Sequence, residues 1–388
     1  MSTALDQVTS YQHLVPAVVT MVNERSVNIT LEGNRKAIIE WPGMAWARPY
    51  INDQKQGTPP DNAYEIFNYG DVILVSRNES DEYQLSQLPR ASAAIISLSP
   101  DDGAIKAAVG GFSYKQSQFN RVTQAKRQVG SNIKPFIYSA ALENGYTLAS
   151  LINDAPINQW DKSSGVVWRP KNSPETYVGP IRMRLALAQS KNVIAVRLLK
   201  SIGLDTAIEH LTSFGFSTDD LPRNESLALG SASLTPLEVA TGFATFANGG
   251  FLVEPYLIDR IETADGEIVF QANPRLACDP CESTVLSNEN SATEETLLEQ
   301  EDLSLAARTD GTTIPAKITS APRAISAQNA FLITQALNSG IWGADWSIEN
   351  GWQGTGWRAR SLKRKDIPVK QVQQTKQKML GSLVFLAV

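Results

Sequence analysis

The chain has 388 residues, of which 42% are hydrophobic and 19% charged, and its formal net charge is −5. At about 100 to 200 residues per domain this length predicts two domains, and the composition excludes disorder for most of the chain. The acidic balance argues against nucleic acid as a partner. Two histidines, His13 and His210, are too few for a multi-histidine metal centre, so we expect no metal. We expect no other cofactor either.

The first region, residues 1–90, alternates short apolar runs with turn residues and predicts a small all-β domain of the OB type. Four runs fit β-strands, at residues 16–22, 26–31, 36–40 and 71–75. Residues 54–63 contain two prolines and fit a loop. Small barrels of this type often bind nucleic acid, but the acidic chain favours a spacer or a module that docks a protein partner.

The second region, residues 91–367, combines strand and helix patterns and predicts an α+β domain, an antiparallel sheet with helices. Residues 93–112 fit a β-hairpin around residues 100–103, and its nearly continuous apolar strands predict a covered sheet. Helical periodicity dominates the stretch 132–202, including 183–202, and returns at 326–339. A further helix is predicted at 234–247, where Thr235 and Pro236 form a typical helix start.

Residues 276–308 predict a solvated, mobile acidic insert, because acidic residues crowd this segment and large apolar residues are few. Its start contains Cys278 and Cys281, a spacing shared by redox dithiols, zinc half-sites and small disulfide loops. Two cysteines do not complete a zinc site, and the flanking sequence lacks a thioredoxin-like pattern. A local disulfide or a reduced surface pair is therefore expected.

Neither terminus contains an evident membrane or export signal. Residues 1–7 have no basic start and no apolar run, so no signal peptide is expected. The longest apolar run, 379–388, has about half of the ~20 residues that a membrane helix needs. We therefore expect no transmembrane anchor in this chain.

Ser131 and Lys134 form the only Ser-x-x-Lys pattern in the chain. Three residues of helical advance place both side chains on one face. A serine is a poor nucleophile unless a base lies beside it, and a lysine that is desolvated in a pocket can supply that base without histidine. The alternative is that Ser131 only caps a helix and that Lys134 is a solvated residue of its first turn.

A second motif, Ser190-Lys191-Asn192, favours the catalytic alternative. In a loop before a helix, Ser190 and Asn192 point to the same side. They supply a hydroxyl that relays a proton and an amide that holds a substrate amide. Lys191 is expected to face away from these two neighbours, so Lys191→Ala should affect covalent labelling less than Lys134→Ala.

Ser-x-x-Lys followed by Ser-x-Asn resembles the signature of penicillin-binding proteins and serine β-lactamases, whose third element is Lys-Thr-Gly on a strand. Other segments are similar to the transpeptidase domain of class A penicillin-binding proteins, with the OB-like domain inserted before it. These segments are residues 127–136, 171–174, 190–192, 227–233 and 247–251. By this resemblance, the family's glycosyltransferase domain and membrane anchor would lie upstream.

The resemblance implies a D,D-transpeptidase that cross-links peptidoglycan stem peptides and is trapped by β-lactam antibiotics. Ser131 would attack the penultimate D-alanine carbonyl, and Lys134 would be its general base. Ser190 would pass the proton to the departing amine, and Asn192 would bind the amide of the acyl group. The family acts on the periplasmic face of the inner membrane, where cell-wall synthesis proteins could dock on the OB-like domain.

The chain departs from the family at residues 368–388, an aberrant tail that contains no Lys-Thr-Gly. Residues 369–374 can be encoded by bases that, read one base earlier, give Gly-Lys-Thr-Gly-Thr-Thr. Residues 378–384 can likewise be re-read as Asp-Ala-Trp-Phe-Ser-Gly, which resembles the segment after this motif in the family. We therefore interpret the tail as the product of a frameshift that impairs activity.

Three functions remain open at this point. The chain is a transpeptidase, a serine β-lactamase-like hydrolase, or a non-catalytic fragment that binds partner proteins. The hydrolase would need a water-activating base for deacylation, and no segment of the sequence can be assigned to that role.

Overall fold

The structure is a computed structural model that describes 12 stretches of the chain: residues 5, 8–11, 13–52, 54–161, 166–278, 281, 304–309, 312–317, 319–343, 354–363, 369–371 and 384–386. The chain divides into two compact units. Unit 1 comprises residues 1–93 with 111–119, and unit 2 comprises residues 94–110 with 120–388.

Unit 1 is built on a five-stranded antiparallel sheet with the strand order β3-β2-β1-β6-β7. A separate two-stranded pair, β4 and β5, lies in the same unit. The strands are β1 (Val15–Val22), β2 (Ser26–Leu31), β3 (Arg35–Glu40), β4 (Tyr50–Asn52), β5 (Lys55–Gln56), β6 (Val72–Arg77) and β7 (Tyr83–Ser86). The four strands predicted from the apolar runs are confirmed as β1, β2, β3 and β6.

The core of unit 1 lies on one face of this sheet. Val19 of β1 pairs with Ile29 of β2, and both side chains are fully buried. Met44 and Phe67, from the connections outside the sheet, pack into the same cluster. Because alternate residues of a strand face opposite sides, the period-2 pattern of the sequence places this core on one side of the sheet.

Unit 2 contains the helices, and the first of them runs through its core. They are α1 (Lys134–Glu143), α2 (Met183–Ala188), α3 (Asn192–Ile202), α4 (Leu204–Thr212), α5 (Pro236–Ala247) and α6 (Ala327–Trp342). The Phe136 ring of α1 lies 4.9 to 5.3 Å, centroid to centroid, from four other phenylalanine rings. Aromatic packing of this kind holds α1 rigidly in place, and α1 begins at the residues singled out above.

The strands of unit 2 form antiparallel pairs. The pairs are β8 (Ile95–Leu98) with β9 (Ile105–Val109), β10 (Arg127–Gln128) with β15 (Ser233–Leu234), β11 (Leu151–Asp154) with β14 (Gly179–Arg182), β12 (Gln159–Asp161) with β13 (Val166–Trp168), β16 (Arg260–Glu262) with β17 (Ile268–Gln271), β18 (Ser304–Thr309) with β19 (Thr312–Lys317), and β20 (Val369–Gln371) with β21 (Val384–Leu386).

The hairpin predicted at 93–112 is confirmed as β8 and β9, but the expectation that it is covered is wrong. Ile95 is 64% exposed and Val109 is 52% exposed. Within the described part of the chain β8 and β9 pair only with each other as strands. Helix α5 lies beside β8. Composition shows that a strand is apolar but cannot show what packs on it.

Two helix predictions bear on the site. Helix α5 begins at Pro236, and the Thr235 side chain accepts from the Glu238 backbone N–H while the Glu238 side chain accepts from the Thr235 N–H. This capping box confirms the predicted start. The predicted helical stretch 183–202 is split into α2 and α3 by the turn that contains Ser190.

The predicted acidic insert is described only in part. Residues 282–303 lie outside the described residues, whereas Ser304–Thr309 form strand β18. Cys278 and Cys281 form a disulfide, which was one of the two expected states. Among the described residues, no helix is both long and apolar enough to span a membrane.

Candidate active site

Ser131 lies in a short 3₁₀ turn, Gly130–Ile133, that leads directly into α1. The Lys134 backbone N–H donates to the Ser131 carbonyl, so the two residues are one turn apart. The N-cap residue of α1 is Ile133, without a side-chain cap bond, and Ser131 Oγ makes no hydrogen bond to another described residue. Ser131 is therefore not a capping serine, which removes one part of the alternative considered above.

A close backbone contact holds the Ser131 turn in place. The Gly130 N–H donates to the Gly230 carbonyl (3.0 Å), and the Val129 N–H donates to the Ala232 carbonyl (3.0 Å). Gly230 has a φ of +83°, and a Cβ at this position would lie 1.9 Å from the Gly130 carbonyl oxygen. Only glycine fits here, because both the conformation and the space exclude a side chain.

Lys134 is fully buried, with 0% of its surface exposed. Its Nζ lies 2.6 Å from the Ser190 carbonyl oxygen, 3.1 Å from Ser190 Oγ and 2.6 Å from Asn192 Oδ1. A solvated lysine of the first helical turn would show neither burial nor these contacts. The structure therefore brings Lys134, Ser190 and Asn192 together, and it places Ser131 one turn before Lys134.

The three oxygens around Lys134 Nζ are compatible with either protonation state. Two of them, the Ser190 carbonyl and Asn192 Oδ1, can only accept. The third is a hydroxyl, which can accept from an ammonium or donate to a neutral amine. Lys134 and Ser190 can therefore exchange a proton without rearranging the site, as a base and its relay require.

Ser190 and Asn192 lie on either side of the start of α3. Ser190 has a φ of +55°, a left-handed conformation that is costly for residues other than glycine and that is frequent at functional sites. Asn192 is the first residue of α3. Its Nδ2 donates to the Lys171 carbonyl (2.7 Å), while its Oδ1 faces Lys134.

Sequence reasoning missed a buried polar group behind this turn. Lys191 Nζ pairs with Asp154 Oδ2 at 3.0 Å, with side chains that are 9% and 0% exposed. Asp154 Oδ1 accepts from Asn172 Nδ2 (2.7 Å). The Lys191 side chain faces Asp154 and not Ser190 or Asn192, and its removal would leave a buried carboxylate without a counter-charge. The sequence did not indicate this structural role. Asn172 belongs to a segment that resembles the family, but no spacing rule connects it with Asp154.

Strand β20 approaches the Ser131 turn. Cα atoms of Val369–Gln371 lie within 8 Å of Cα atoms in the 3₁₀ turn Gly130–Ile133 and within 8 Å of Cα atoms in α6. The strand therefore runs beside the serine at the point where the sequence departs from the family.

A serine and a histidine also meet in unit 2, but not as a nucleophile and its base. Ser139 Oγ lies 2.8 Å from His210 Nε2, and Ser139 is fully buried. Burial lowers the pKa of His210 to about 4. Over the described ranges, no cluster of histidine, cysteine or acidic residues could hold a metal ion.

Comparison with known families agrees with the order of these motifs. The penicillin-binding protein transpeptidase domain matches residues 93–317, and the penicillin-binding protein OB-like domain matches residues 1–91. The fold predicted from the sequence, an OB-like domain before a transpeptidase domain, is thereby confirmed.

Individual relatives agree as well. Penicillin-binding protein 1A of Vibrio cholerae serotype O1 is 48% identical over 363 residues, which cover 92% of this chain and 41% of the relative. Penicillin-binding protein 1A of Escherichia coli K12 is 44% identical over 381 residues, which cover 92% of this chain and 43% of the relative. The chain thus spans less than half the length of these relatives.

A crystal structure of penicillin-binding protein 1A from Haemophilus influenzae aligns with a TM-score of 0.77 and 40% identity, over 95% of this chain and 50% of that chain. The transpeptidase match alone spans more than half of the sequence. The chain therefore belongs to the penicillin-binding protein family and contains its transpeptidase and OB-like domains.

Proposed function

We propose that unit 2 is a serine-type D,D-transpeptidase that acts on peptidoglycan stem peptides and binds β-lactams covalently. The observation that carries this proposal is the fully buried Lys134, whose Nζ lies within 3.1 Å of Ser190 Oγ and within 2.6 Å of Asn192 Oδ1. A buried amine beside a hydroxyl is placed to transfer a proton, whereas a lysine that only contributes charge to the surface would be exposed to solvent.

In the first half-reaction Ser131 Oγ attacks the carbonyl carbon of the penultimate D-alanine. Lys134 Nζ, in its neutral form, takes the hydroxyl proton. Ser190 passes a proton to the departing amine as the peptide bond breaks, and the terminal D-alanine leaves. Asn192 orients the acyl group through its amide, once a substrate replaces the Lys171 carbonyl as the partner of its Nδ2.

In the second half-reaction an amine from a neighbouring stem peptide attacks the ester carbonyl. Ser190 and Lys134 remove the proton from this amine and return one to Ser131 Oγ, so the cross-link forms and the enzyme is regenerated. A β-lactam would acylate Ser131 in the same way, but its ring-opened leaving amine stays attached to the acyl group.

The tail impairs this chemistry in the chain as written. The family uses Lys-Thr-Gly on the strand beside the nucleophile, and this chain reads Lys370-Gln371-Val372. A glycine permits the close approach of a substrate, and the sequence has valine at position 372 where the family has that glycine. Loss of one oxyanion donor lowers the rate by about 10²- to 10³-fold, so we propose that transpeptidase activity is negligible.

The re-read bases define a direct comparison. Inserting one base ahead of the codon for Val369 would make the same gene encode Gly-Lys-Thr-Gly. We call the product of that gene the frame-restored chain. It should regain covalent labelling by penicillin. Sequencing the gene around the codons for residues 366–375 would show independently whether a base has been lost.

A fluorescent penicillin, with mass spectrometry of the labelled peptide, tests the proposal. A persistent adduct on Ser131 of the frame-restored chain supports the transpeptidase. Rapid turnover of the adduct would indicate a β-lactamase-like hydrolase, and absence of labelling would indicate a non-catalytic fragment. A labelled residue other than Ser131 would contradict the assignment of the nucleophile.

The substrate also determines where the reaction takes place. Peptidoglycan lies outside the cytoplasmic membrane, so we place the activity on the periplasmic face of the inner membrane. The OB-like domain offers a docking surface for other proteins of cell-wall synthesis. Binding of cell-wall synthesis proteins to residues 1–90 expressed alone would support this role. Binding to the whole chain but not to residues 1–90 would contradict it.

A further inference from the structure

The amide of Asn172 uses its whole hydrogen-bonding capacity in one buried position. Its Nδ2 donates to Asp154 Oδ1 (2.7 Å) and to the Thr176 carbonyl (2.9 Å). Its Oδ1 accepts from the backbone N–H groups of Asn192 (3.0 Å) and Val193 (3.2 Å). Asn172 is 5% exposed, and an asparagine side chain can offer no more than two donors and two lone pairs.

Two of these bonds cap a helix from a distance of 20 residues in sequence. Helix α3 begins at Asn192, and its N-cap residue, Lys191, makes no side-chain cap bond. The first N–H groups of a helix need partners, and a local serine, threonine or aspartate normally supplies them. Here Asn172 supplies them, and residue 191 pairs with Asp154 instead.

The other two bonds anchor Asn172 in the interior. Asp154 is 0% exposed and accepts from Asn172, from the Val178 N–H (3.3 Å) and from Lys191 Nζ (3.0 Å). A buried carboxylate with three donors cannot move without losing them. The side chain of Asn172 is therefore held by Asp154 and in turn holds the start of α3 in place.

We infer that Asn172 is a positioning residue for Ser190 and Asn192. Three consecutive hydrogen bonds lead from Asp154 through Asn172 and Asn192 to Lys134 Nζ. Without Asn172 the start of α3 loses its cap, the left-handed turn at Ser190 relaxes, and the oxygens around Lys134 move. The catalytic consequence rests on the proposed function, whereas the capping does not.

Hydrogen–deuterium exchange of the 388-residue chain tests the capping. In Asn172→Ala, the amides of Asn192 and Val193 should exchange roughly tenfold faster, as expected for the loss of a helix cap. The matched control is Asn248→Ala. The Asn248 amide also makes four hydrogen bonds, to Pro100, Gly250 and Phe251, but none of them involves α3. Unchanged exchange at residues 192 and 193 in Asn172→Ala would overturn the inference.

A conservative pair separates positioning from general destabilisation. Asn172→Asp keeps an acceptor oxygen for the two α3 N–H groups but puts a carboxylate against Asp154, and Asp154→Asn in the same chain restores a donor between residues 154 and 172. We expect the double variant to recover slow exchange at residues 192 and 193 that Asn172→Asp has lost. A double variant that exchanges as fast as Asn172→Asp would contradict the chain of bonds.

Penicillin labelling of the frame-restored chain tests the catalytic consequence. Asn172→Ala should lower the acylation rate constant at saturating penicillin by about 100-fold, as a misplaced group does, and leave half-saturation nearly unchanged. An equal loss in Asn248→Ala would assign the effect to stability alone. If the frame-restored parent is not labelled at Ser131, the proposed function fails, and the exchange measurements still decide the capping.

Discussion

Helix α1 takes part in two polar networks, one at its start and one along its second half, and they differ in kind. The site network comprises Lys134, Ser190, Asn192, Asn172, Asp154 and Lys191. The rear network comprises Ser139, His210, Asn329, Glu143 and Ser326. Both fix α1 against segments that are distant in sequence, but only the site network contains a buried ion pair and a left-handed serine.

The rear network is neutral at its centre and relaxed. Ser139 Oγ donates to Asn329 Oδ1 (2.9 Å), so its one hydroxyl proton is used and His210 Nε2 must donate to it. Asn329 Nδ2 donates to Glu143 Oε1 (2.7 Å) at the helix end. Polar groups whose hydrogen bonds are all satisfied stabilise a fold. The backbone strain and buried charge of the site network are instead typical of functional sites.

The largest difference should appear when one residue of each network is removed from the frame-restored chain. Lys134→Met should lower penicillin labelling by about 10²- to 10⁴-fold, because the base is lost. Ser139→Ala should keep labelling and lower the free energy of unfolding by about 1 to 3 kcal/mol, because His210 and Asn329 lose a partner. Loss of labelling in Ser139→Ala, with its fold intact, would contradict the separation of the two networks.

Substitution of Gly230 should destabilise unit 2 more than substitution of another glycine with the same positive φ. Gly230→Ala should prevent folding of unit 2 or lower its unfolding free energy by about 4 kcal/mol or more, because the Cβ meets the Gly130 carbonyl. Gly145→Ala is the matched control, since Gly145 has the same φ of +83° with nothing within 4 Å. It should cost only about 1 kcal/mol. Equal melting temperatures of the two variants would show that the contact at Gly230 is not restrictive.

Removing one partner of the buried Lys191–Asp154 pair should lower the free energy of unfolding strongly, whereas replacing both partners should lower it little. Lys191→Ala should lower the unfolding free energy by about 3 to 5 kcal/mol, because Asp154 stays buried without a counter-charge. Adding Asp154→Asn to Lys191→Ala should recover most of this loss, because no buried charge is then left unpaired. Lys171→Ala, which removes an exposed pair with Glu175, should have no measurable effect. Denaturant titration of these variants and the parent tests this, and a mild effect of Lys191→Ala would show that the ion pair is dispensable.

The rear network should make stability depend on pH through His210. Burial lowers the pKa of His210 from 6.5 to about 4, so below pH 6.5 the unfolded chain binds a proton that the folded chain rejects. The contribution is complete above pH 6.5 and is lost as the pH falls towards 4, by about 3 kcal/mol. His210→Gln should flatten the unfolding free energy over this interval. An unchanged slope in this variant would assign the pH dependence to other groups.

Local signals were sufficient for much of the fold. The alternation in β1 and β2 and the Thr235-Pro236 start of α5 were readable because each depends on neighbours in sequence. Coverage of the β8–β9 hairpin was not readable, because it depends on what packs on it. The same division applies to the site, where the spacing of Ser131 to Lys134 and of Ser190 to Asn192 singled out residues that lie together.

Residues that act across long sequence separations were invisible to spacing rules. Asn172 caps a helix 20 residues away, and Asp154 of β11 pairs with Lys191 of the turn before α3. Nothing in a loop sequence distinguishes a capping asparagine from a solvated one. The structural role of Lys191, between two singled-out residues, could not be predicted because its partner Asp154 lies far away in the sequence.

Covalent labelling of Ser131 in the chain as written, compared with the frame-restored chain, tests the central claim most directly. Both are incubated with fluorescent penicillin, and the adduct is located by mass spectrometry. We expect stoichiometric labelling of Ser131 in the frame-restored chain and negligible labelling in the chain as written. Rapid stoichiometric acylation of Ser131 in the chain as written would contradict the claim, because Lys370 and the strand around it would then serve without Thr-Gly.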